Sequence, residues 1–418
     1  MELVAADPNR SCDCGLDDRN AMATAEYFAN PYVFLDELRE SCPVHWSKTL
    51  GGWLLTRHED CDWCLKRPDL FTSRHHTARQ VEALPADLRL RAAPLIQALD
   101  GQMVMMQDPP DHTKQRRTLN KAFLPSHVAA LEQGVRDIAF ELLEPFRDSR
   151  EMDLVRDFAQ PLPGTVLANF LGVPRSDQPR FVGWGGAVAA FVVSAAGEGV
   201  VDNALQAFDE MTRYIEALLD DRRARRDKAV DVISLMSDPS AGLGHQEIVA
   251  TCVQLLFAGH LTSTILLSLG THTLIHHPDQ TARLVADPSL FPLAVEELMR
   301  FDGPAVIIPA RTATTDVECH GKQIATGEAV FAGLGPAGRD PRVFADPYVF
   351  DVARPLSRHL AFGAGPHFCV GAPVSRLEGR VALAALLQVA PEITLTTDAL
   401  PWRPVHVARI LDAMPVAW

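Results

Sequence analysis

The sequence predicts a mainly α-helical protein with a small β region, and three observations support this prediction. Apolar residues recur at three- and four-residue spacing in 131–147, 204–225, 246–276 and 290–301, which is the pattern of a helix with one buried face. Alternating patterns broken by glycines lie near both ends of the chain. A composition of 47% apolar and 22% charged residues is typical of a folded globular protein and excludes general disorder.

The β elements are predicted near the two ends. Residues 44–57 alternate around Gly51 and Gly52, as the two strands of a hairpin do. A later signal covers residues 305–313 and 317–334, with glycine turns in the second segment. We therefore expect one small sheet formed from both ends of the chain. Residues 338–358 hold three prolines and little periodicity, which predicts an irregular but packed loop.

The ends of the chain and its charge limit the function classes. The N-terminus is acidic where a secretory signal is basic, and we expect a loose tail over residues 1–20 and a single domain over 21–418. Residues 181–201 and 250–275 are apolar, but glycines or polar residues interrupt both, so we expect no membrane span. A net charge of -14 disfavours a nucleic-acid surface. These features predict a cytoplasmic protein with neither membrane nor nucleic acid as a partner.

The eight cysteines do not have the spacing of a disulfide framework. Cys61 and Cys64 form a CxxC pair that suits zinc or redox chemistry, but no second ligand pair at matching spacing follows. With Trp63 between them, we interpret them as ordinary helix positions, and Cys12 and Cys14 as equally ordinary.

Cys369 has a different setting. Gly363 and Gly365 allow a tight turn before it, and a helical pattern begins within two residues after it. A thiol at a helix N-terminus faces unpaired N–H groups, which favours the thiolate. A structural or a nucleophilic cysteine is the alternative. Neighbouring Phe362, and Gly371 where a flat cofactor would press on the helix, favour a haem ligand, and an axial thiolate promotes O–O cleavage.

The run FGAGPHFCVG resembles the haem-binding signature of the cytochrome P450 family of haem-thiolate monooxygenases. The resemblance extends from about Ala25 to the C-terminus and is to the bacterial members that lack a membrane anchor. It implies the cytochrome P450 fold and haem b, with Cys369 as the iron ligand. The matching positions of the run are Phe362, Gly363, Gly365, His367, Cys369 and Gly371.

Other segments carry further resemblances. Glu297 and Arg300 are spaced i, i+3 on a predicted helix, where a solvated surface bridge of little value is the alternative. With Arg354 they resemble the family's structural triad, and breaking such a buried group costs about 3–5 kcal/mol.

Four side chains resemble the family's haem-propionate partners. His112 and Arg116 are four residues apart on one helical face, although a solvated face is the common reading of such a pattern. Arg311 and His367 match two more of the family's positions. Four donors for two carboxylates are chemically sensible, because charge-assisted hydrogen bonds are strong.

Residues 255–270 resemble the long helix that crosses the haem. Ala258 and Gly259 would let the backbone approach the iron, and Thr262 matches the oxygen-activating threonine, although a mid-helix threonine is often bonded to its own helix. Leu261 stands where the family usually has an acid. Protons would then come through His260 or ordered water, or the substrate would supply the polar group, or the reaction would be atypical.

The substrate pocket and the electron donor are implied by resemblance alone. The pocket roof would come from residues 73–101 and 181–201, and its walls from 306–308 and the turn near Ile410. Electrons would come from a separate ferredoxin and ferredoxin reductase. An acidic ferredoxin could bind a basic patch formed by Lys114, Arg117, Lys121 and Arg376. The alternative is that these residues form an ordinary solvated helix face.

The main hypothesis is therefore a dioxygen-dependent monooxygenase that acts on a small, natural-product-like molecule. The alternatives are an atypical haem-thiolate enzyme for coupling, desaturation or peroxide-driven oxidation, an enzyme for a substrate tethered to a carrier protein, and a haem sensor without turnover. Leu261 supports the first alternative, whereas Thr262 argues against the sensor.

Overall fold

The predicted division into a helical body and a small sheet is confirmed by a computed structural model. The structure describes residues 15–74, 77, 81, 84–194, 197–225, 231–238, 242–308 and 311–418. The four predicted helices are all present, and the longest of them begins and ends within a residue of its expected bounds.

The helices are short at the N-terminus and long in the centre of the chain. In chain order they are α1 (Asp18–Ala21), α2 (Ala25–Ala29), α3 (Tyr32–Ser41), α4 (His58–Lys66), α5 (Ala86–Gln102), α6 (Asp111–Ala122), α7 (Pro125–Ala130), α8 (Glu132–Leu143), α9 (Pro161–Leu171), α10 (Gln178–Ser194), α11 (Glu198–Arg225), α12 (Val232–Ser237), α13 (His245–His276), α14 (Pro278–Ala286), α15 (Phe291–Asp302), α16 (Leu334–Ala337) and α17 (Ala372–Val389).

The strands form small sheets at the edge of the helical body. They are β1 (Val44–Ser47), β2 (Gly52–Leu55), β3 (Phe71–Thr72), β4 (Glu151–Asp153), β5 (Arg311–Ala313), β6 (Val317–Cys319), β7 (Lys322–Ile324), β8 (Ala329–Ala332), β9 (Thr394–Leu395) and β10 (Pro415–Ala417). The main sheet has the order β1-β2-β8-β5-β3, so it joins both ends of the chain as predicted. The β4-β10-β9 sheet was not predicted, because strands of two or three residues carry almost no periodic signal.

The main sheet depends on one glycine. β2 pairs in parallel with β8, with Trp53 opposite Val330. A Cβ on Gly52 would lie 2.7 Å from the Ala329 carbonyl oxygen, so only glycine lets the hairpin approach β8 this closely.

The N-terminal tail is shorter than expected. The prediction of a loose tail over residues 1–20 is wrong at its end, because Asp18 in α1 is buried. Its carboxylate accepts the Ser47 hydroxyl and the backbone N–H groups of Lys48 and Thr49, the latter two at 3.1 and 3.3 Å. These bonds tie α1 to the β1–β2 turn. Residues 1–14 lie outside the described part of the chain.

Helix α13 runs through the body and contacts α9, α10, α15 and α17. By length and composition it is the one helix among the described residues that could cross a membrane, but 72% of its most apolar window is buried inside the fold. That burial is typical of a core helix, and α13 positions one wall of the site described below.

The loop at 338–358 is irregular, as predicted, and a buried ion-pair group holds it. The Glu297 carboxylate accepts Arg300 Nε at 2.7 Å and Arg354 Nε at 2.9 Å, and the side chains of Glu297 and Arg300 are 2% and 0% exposed. Arg300 also donates to the Gly338 and Pro347 carbonyl oxygens, both at 2.8 Å. The solvated-bridge alternative is therefore wrong, and α15 is joined to the loop that leads into the cysteine segment.

Candidate functional site

The cysteine loop is shaped by two glycines with left-handed backbone. Gly363 and Gly365 have φ values of +70° and +68°, and a Cβ on Gly365 would clash with the Leu65 carbonyl oxygen of α4. The Cys369 N–H donates to the Phe362 carbonyl oxygen at 2.9 Å. The sulfur is thereby held just before α17, with the loop packed on α4.

The electrostatics of Cys369 differ from the prediction. Burial raises the pKa of the thiol above its ordinary value, although the Gly371 and Ala372 N–H groups and the charges of Arg116 and Arg376 lower it in part. The helix-terminus effect is present as expected, but in the chain without a bound metal cation burial outweighs it. A metal cation at the sulfur would reverse the balance, since coordination deprotonates a thiol.

A cavity of about 310 Å³ opens beside Cys369, and its lining is mainly apolar. Every position predicted to bind the cofactor reaches this cavity, as does Thr262. The apolar lining comes mainly from other segments, and its members include Leu65, Val104, Met105, Met106, Phe123, Leu167, Phe170, Leu255 and Ile308.

The predicted propionate partners meet at one side of this cavity. The His112 and His367 rings lie 4.4 Å apart between centroids, and Arg116 and Arg311 line the same wall. Both ring nitrogens of His112 are buried and have no hydrogen-bond partner in the described part of the chain. Burial, together with the charges of Arg311, His112 and Arg116, lowers the pKa of His367 to about 2. A cluster of hydrogen-bond donors of this kind suits a ligand with anionic oxygen atoms, so these residues fit the propionate carboxylates of haem.

Helix α13 presents small residues and two hydroxyl groups, those of Thr262 and Ser263, to the cavity. Ala258 and Gly259 lie on its wall, and Thr262 next to them is exposed toward it. The Thr262 hydroxyl donates to the Ala258 carbonyl oxygen at 2.7 Å, which is the back-bonded arrangement considered above.

His260 is not at the cavity, which corrects the prediction of a catalytic role for it. Its Nε2 lies 2.9 Å from the Gln160 carbonyl oxygen, and it is buried on the α9 side of α13. Residues two apart on a helix do not share a face, so Thr262 can point into the cavity only if His260 points away. Leu261 packs against the core and brings no polar group to the cavity.

Two polar residues on the cavity wall were missed. Glu378 of α17 is buried, and its carboxylate accepts the Ser263 hydroxyl at 2.5 Å. Burial raises the pKa of Glu378 to about 8, with the Ser263 bond acting in the opposite direction. The available signal was an acid on the otherwise apolar buried face of α17, which is uncommon without a function.

Among the predicted pocket walls, Ile308 lines the cavity, whereas Ile410 and the described residues of 73–101 and 181–201 do not. Residues 75–76, 78–80, 82–83 and 195–196 of the predicted roof lie outside the described part of the chain. The second of these segments is mostly α10, which packs on α11 and α13. Sequence resemblance could not place these segments relative to the cavity, because the direction of each segment is set by its packing partners.

The predicted basic patch is partly neutralised. Lys114 lies 3.3 Å from a Glu247 carboxylate oxygen, and Arg376 Nη2 donates to Glu296 at 2.9 Å. Arg117 and Lys121 are exposed on α6. The surface therefore offers less positive charge than the sequence suggested.

A family model, curated relatives and solved structures all compare this chain with the same protein family. A family model described as Cytochrome P450 matches residues 289–389. The polyketide biosynthesis cytochrome P450 PksS of Bacillus subtilis is 32% identical, over 94% of this chain and 96% of that protein. The 6-deoxyerythronolide B hydroxylase of Saccharopolyspora erythraea is 34% identical, over 91% and 94%. The solved structure of P450BioI in complex with hexadec-9Z-enoic acid ligated acyl carrier protein has a TM-score of 0.85 and 30% identity, covering 95% of this chain and all of that one.

Proposed function

Because the chain belongs to the cytochrome P450 family of haem-b-dependent oxidoreductases, we propose that it hydroxylates or otherwise oxidises a small, natural-product-like molecule. Dioxygen is the oxidant, a separate ferredoxin with its reductase supplies the electrons, and the reaction takes place in the cytoplasm. The observation that carries the proposal is the position of Cys369 beside a mainly apolar cavity whose wall also holds Thr262.

The chain's own residues hold the cofactor in this proposal. Cys369 would supply the sulfur ligand, and Arg116, Arg311, His112 and His367 would hold the two propionates. The unpartnered ring nitrogens of His112 support this assignment, because a buried polar atom without a partner is costly unless a ligand satisfies it. When bound, haem with a thiolate ligand supplies activated oxygen for insertion into an organic molecule.

The cavity lining indicates the class of substrate. Met105, Phe170, Leu255 and Ile308 exclude water and offer apolar contacts to a hydrocarbon skeleton. Gln254 lies on the same wall, and its side-chain oxygen accepts the Met105 N–H at 3.1 Å. A mostly apolar molecule with few polar groups matches this surface.

Proton delivery is assigned to the polar residues of the cavity wall. Leu261 cannot donate a proton, and His260 faces away from the cavity. Glu378, with a pKa raised to about 8, is mostly a neutral acid at pH 7. The Ser263 hydroxyl donates to its carboxyl oxygen in the structure and would have to rotate to take up the proton and pass it on. The neighbouring Thr262 hydroxyl, which also lines the cavity, presents the proton to the reacting oxygen.

The first experiment tests the sulfur ligand. The purified protein, reduced and exposed to carbon monoxide, is expected to show the red-displaced Soret absorption of sulfur coordination, and Cys369→Ser is expected to lose it. A parent protein without that band, or a serine variant that keeps it, would end the proposal.

The second experiment addresses the substrate. Candidate molecules are screened for a shift of the Soret band, and those that bind are tested for dioxygen-dependent product with ferredoxin and its reductase. Product with hydrogen peroxide that equals this yield would favour the atypical reaction, for which Leu261 is the supporting residue. No dioxygen consumption with any binder would favour the sensor.

A substrate tethered to a carrier protein is the second candidate function. It is favoured by the likeness to the P450BioI structure, which holds a fatty acid on an acyl carrier protein. The same Soret screen therefore includes acyl carrier protein conjugates beside the free acids. Tighter binding of the conjugate than of the free acid would select this candidate.

A further inference from the structure

Three side chains of metal-ligand type lie together outside the haem site. Asp60 is in the first turn of α4, Cys319 ends β6, and His320 follows it in the turn to β7. One carboxylate oxygen, the sulfur and one ring nitrogen all lie within 4.8 Å of one another. Two distant segments of the chain thus bring three different donor atoms to one point.

The carboxylate of Asp60 is the second and independent observation. Asp60 is 6% exposed, and its Oδ1 lies 2.9 Å from His320 Nε2. Its other oxygen, Oδ2, is buried and has no hydrogen-bond partner in the described part of the chain. Because an unsatisfied buried carboxylate oxygen costs free energy, this oxygen indicates a ligand that the protein is built to receive.

The hairpin fixes the positions of the other two donors. Cys319 pairs with Lys322 across the strands, so His320 and Gly321 form the two-residue turn, and both have positive φ. Cys319 is 8% exposed and packs in the apolar cluster of the sheet, while the His320 side chain is 37% exposed. One edge of the cluster is therefore open to solvent.

The CxxC pair noted in the sequence is a neighbour of the cluster and not part of it. The Cys61 thiol donates to the Leu55 and Gly333 carbonyl oxygens, at 3.3 and 3.6 Å. Cys64 is buried close to Cys319, but only Cys319 joins the three-donor group. Cys61 and Cys64 are thus buried helix positions, as interpreted from the sequence.

We propose that Asp60, Cys319 and His320 bind one divalent transition-metal ion, zinc in the first instance, with water as the fourth ligand. Zinc accepts sulfur, imidazole nitrogen and carboxylate oxygen, and in a tetrahedral site such donors lie about 3.3–3.6 Å apart. The three donor atoms lie within 4.8 Å of one another, and the Asp60 Oδ1 to His320 Nε2 contact of 2.9 Å has to open by a few tenths of an ångström to admit the ion. The open edge beside His320 gives the water its place. The ion would join the β6–β7 hairpin to α4, the helix on which the Cys369 loop packs.

The binding test uses the haem-loaded protein, in which Cys369 is already a ligand. Chelator-treated protein is titrated with zinc sulfate in competition with a chromophoric zinc chelator. One zinc per chain is expected. Cys319→Ser and His320→Gln are each expected to weaken binding by about 100-fold or more, because losing a direct ligand should cost at least as much as the roughly 10- to 100-fold lost with an outer-shell partner. Zinc-edge X-ray absorption should show one sulfur in the ligand shell.

The control is a second histidine–carboxylate pair without a thiol. His245 Nε2 lies 3.1 Å from Glu216, and its side chain is also 37% exposed. His245→Gln should bind zinc as the parent does, and the haem content of every variant reports its folding. The proposal is overturned if the parent takes up no stoichiometric zinc, if His320→Gln keeps the parent's affinity, or if the zinc shell contains no sulfur. Should Cys319→Ser lose haem, the more exposed His320→Gln still decides.

Discussion

Replacing Glu297 with glutamine should lower the free energy of unfolding much more than the same replacement in an exposed ion pair. The carboxylate accepts two bonds from Arg300, both at 2.7 Å, one from Arg354 at 2.9 Å and one from the Asp351 N–H at 3.2 Å. Glutamine keeps one acceptor oxygen and turns an NH₂ group toward arginine donors. Two guanidinium groups would then lose their shared countercharge, one of them fully buried.

The magnitude follows from that burial. Removing one partner of a buried ion pair costs about 3–5 kcal/mol. With about 2.1 cal/mol/K of unfolding entropy per residue, a chain of 418 residues should lose about 3–6 °C in Tm. Thermal unfolding followed by circular dichroism measures this shift, and the Soret band of the same samples reports whether haem is released with it.

An exposed pair with the same spacing is the control. Glu144 and Arg147 are also i, i+3, at 2.8 Å, with side chains 66% and 52% exposed. Glu144→Gln should move Tm by less than about 1 °C, because solvent screens such pairs. Equal shifts for the two variants would refute the argument from burial, as would an unchanged Tm for Glu297→Gln.

Three further predictions concern the site. Burial of a neutral Glu378 stabilises the fold most at pH values below its ordinary pKa of 4.5, and this contribution is lost as the pH rises to about 8. The Tm of Glu378→Gln should therefore rise relative to the Tm of the parent over that pH range. A difference in Tm that does not change with pH would contradict the raised pKa. Arg311→Leu should lower the haem content measured after gel filtration, while the exposed Arg117→Leu should not, and equal haem in both would count against propionate binding. His260→Gln should change product formation far less than the roughly 100-fold loss expected for a proton relay, and a loss of that size would restore His260 to the mechanism.

Local patterns predicted the parts of the fold that local forces determine. The four long helices and the hairpin at Gly51 and Gly52 follow from periodicity and turn chemistry, which depend on a few neighbouring residues. The β4-β10-β9 sheet could not be found, because its strands are short and β4 is separated from β9 and β10 by more than two hundred residues. Pocket walls failed for a related reason, since a loop's direction depends on what packs beneath it.

The site residues that belong to sequence motifs were predicted, whereas the pair formed by a contact between α13 and α17 was missed. Cys369, Thr262 and the propionate group all reached one cavity. The Ser263–Glu378 pair joins α13 to α17, and its partners are separated by more than a hundred residues, so no spacing reveals it. The raised pKa of the Cys369 thiol was not predicted, because sequence shows the helix terminus but not the depth of burial.

The parallel pairing of β2 with β8 has a consequence for the newly made chain. The hairpin leaves the ribosome about 280 residues before its partner, which at about 5–20 residues per second is a delay of roughly 15–55 s. All residues of both hairpin strands are buried in the finished protein, so during that interval an apolar ribbon with an unpaired edge is exposed. Protection of this ribbon by a chaperone during synthesis should therefore raise the yield of folded protein.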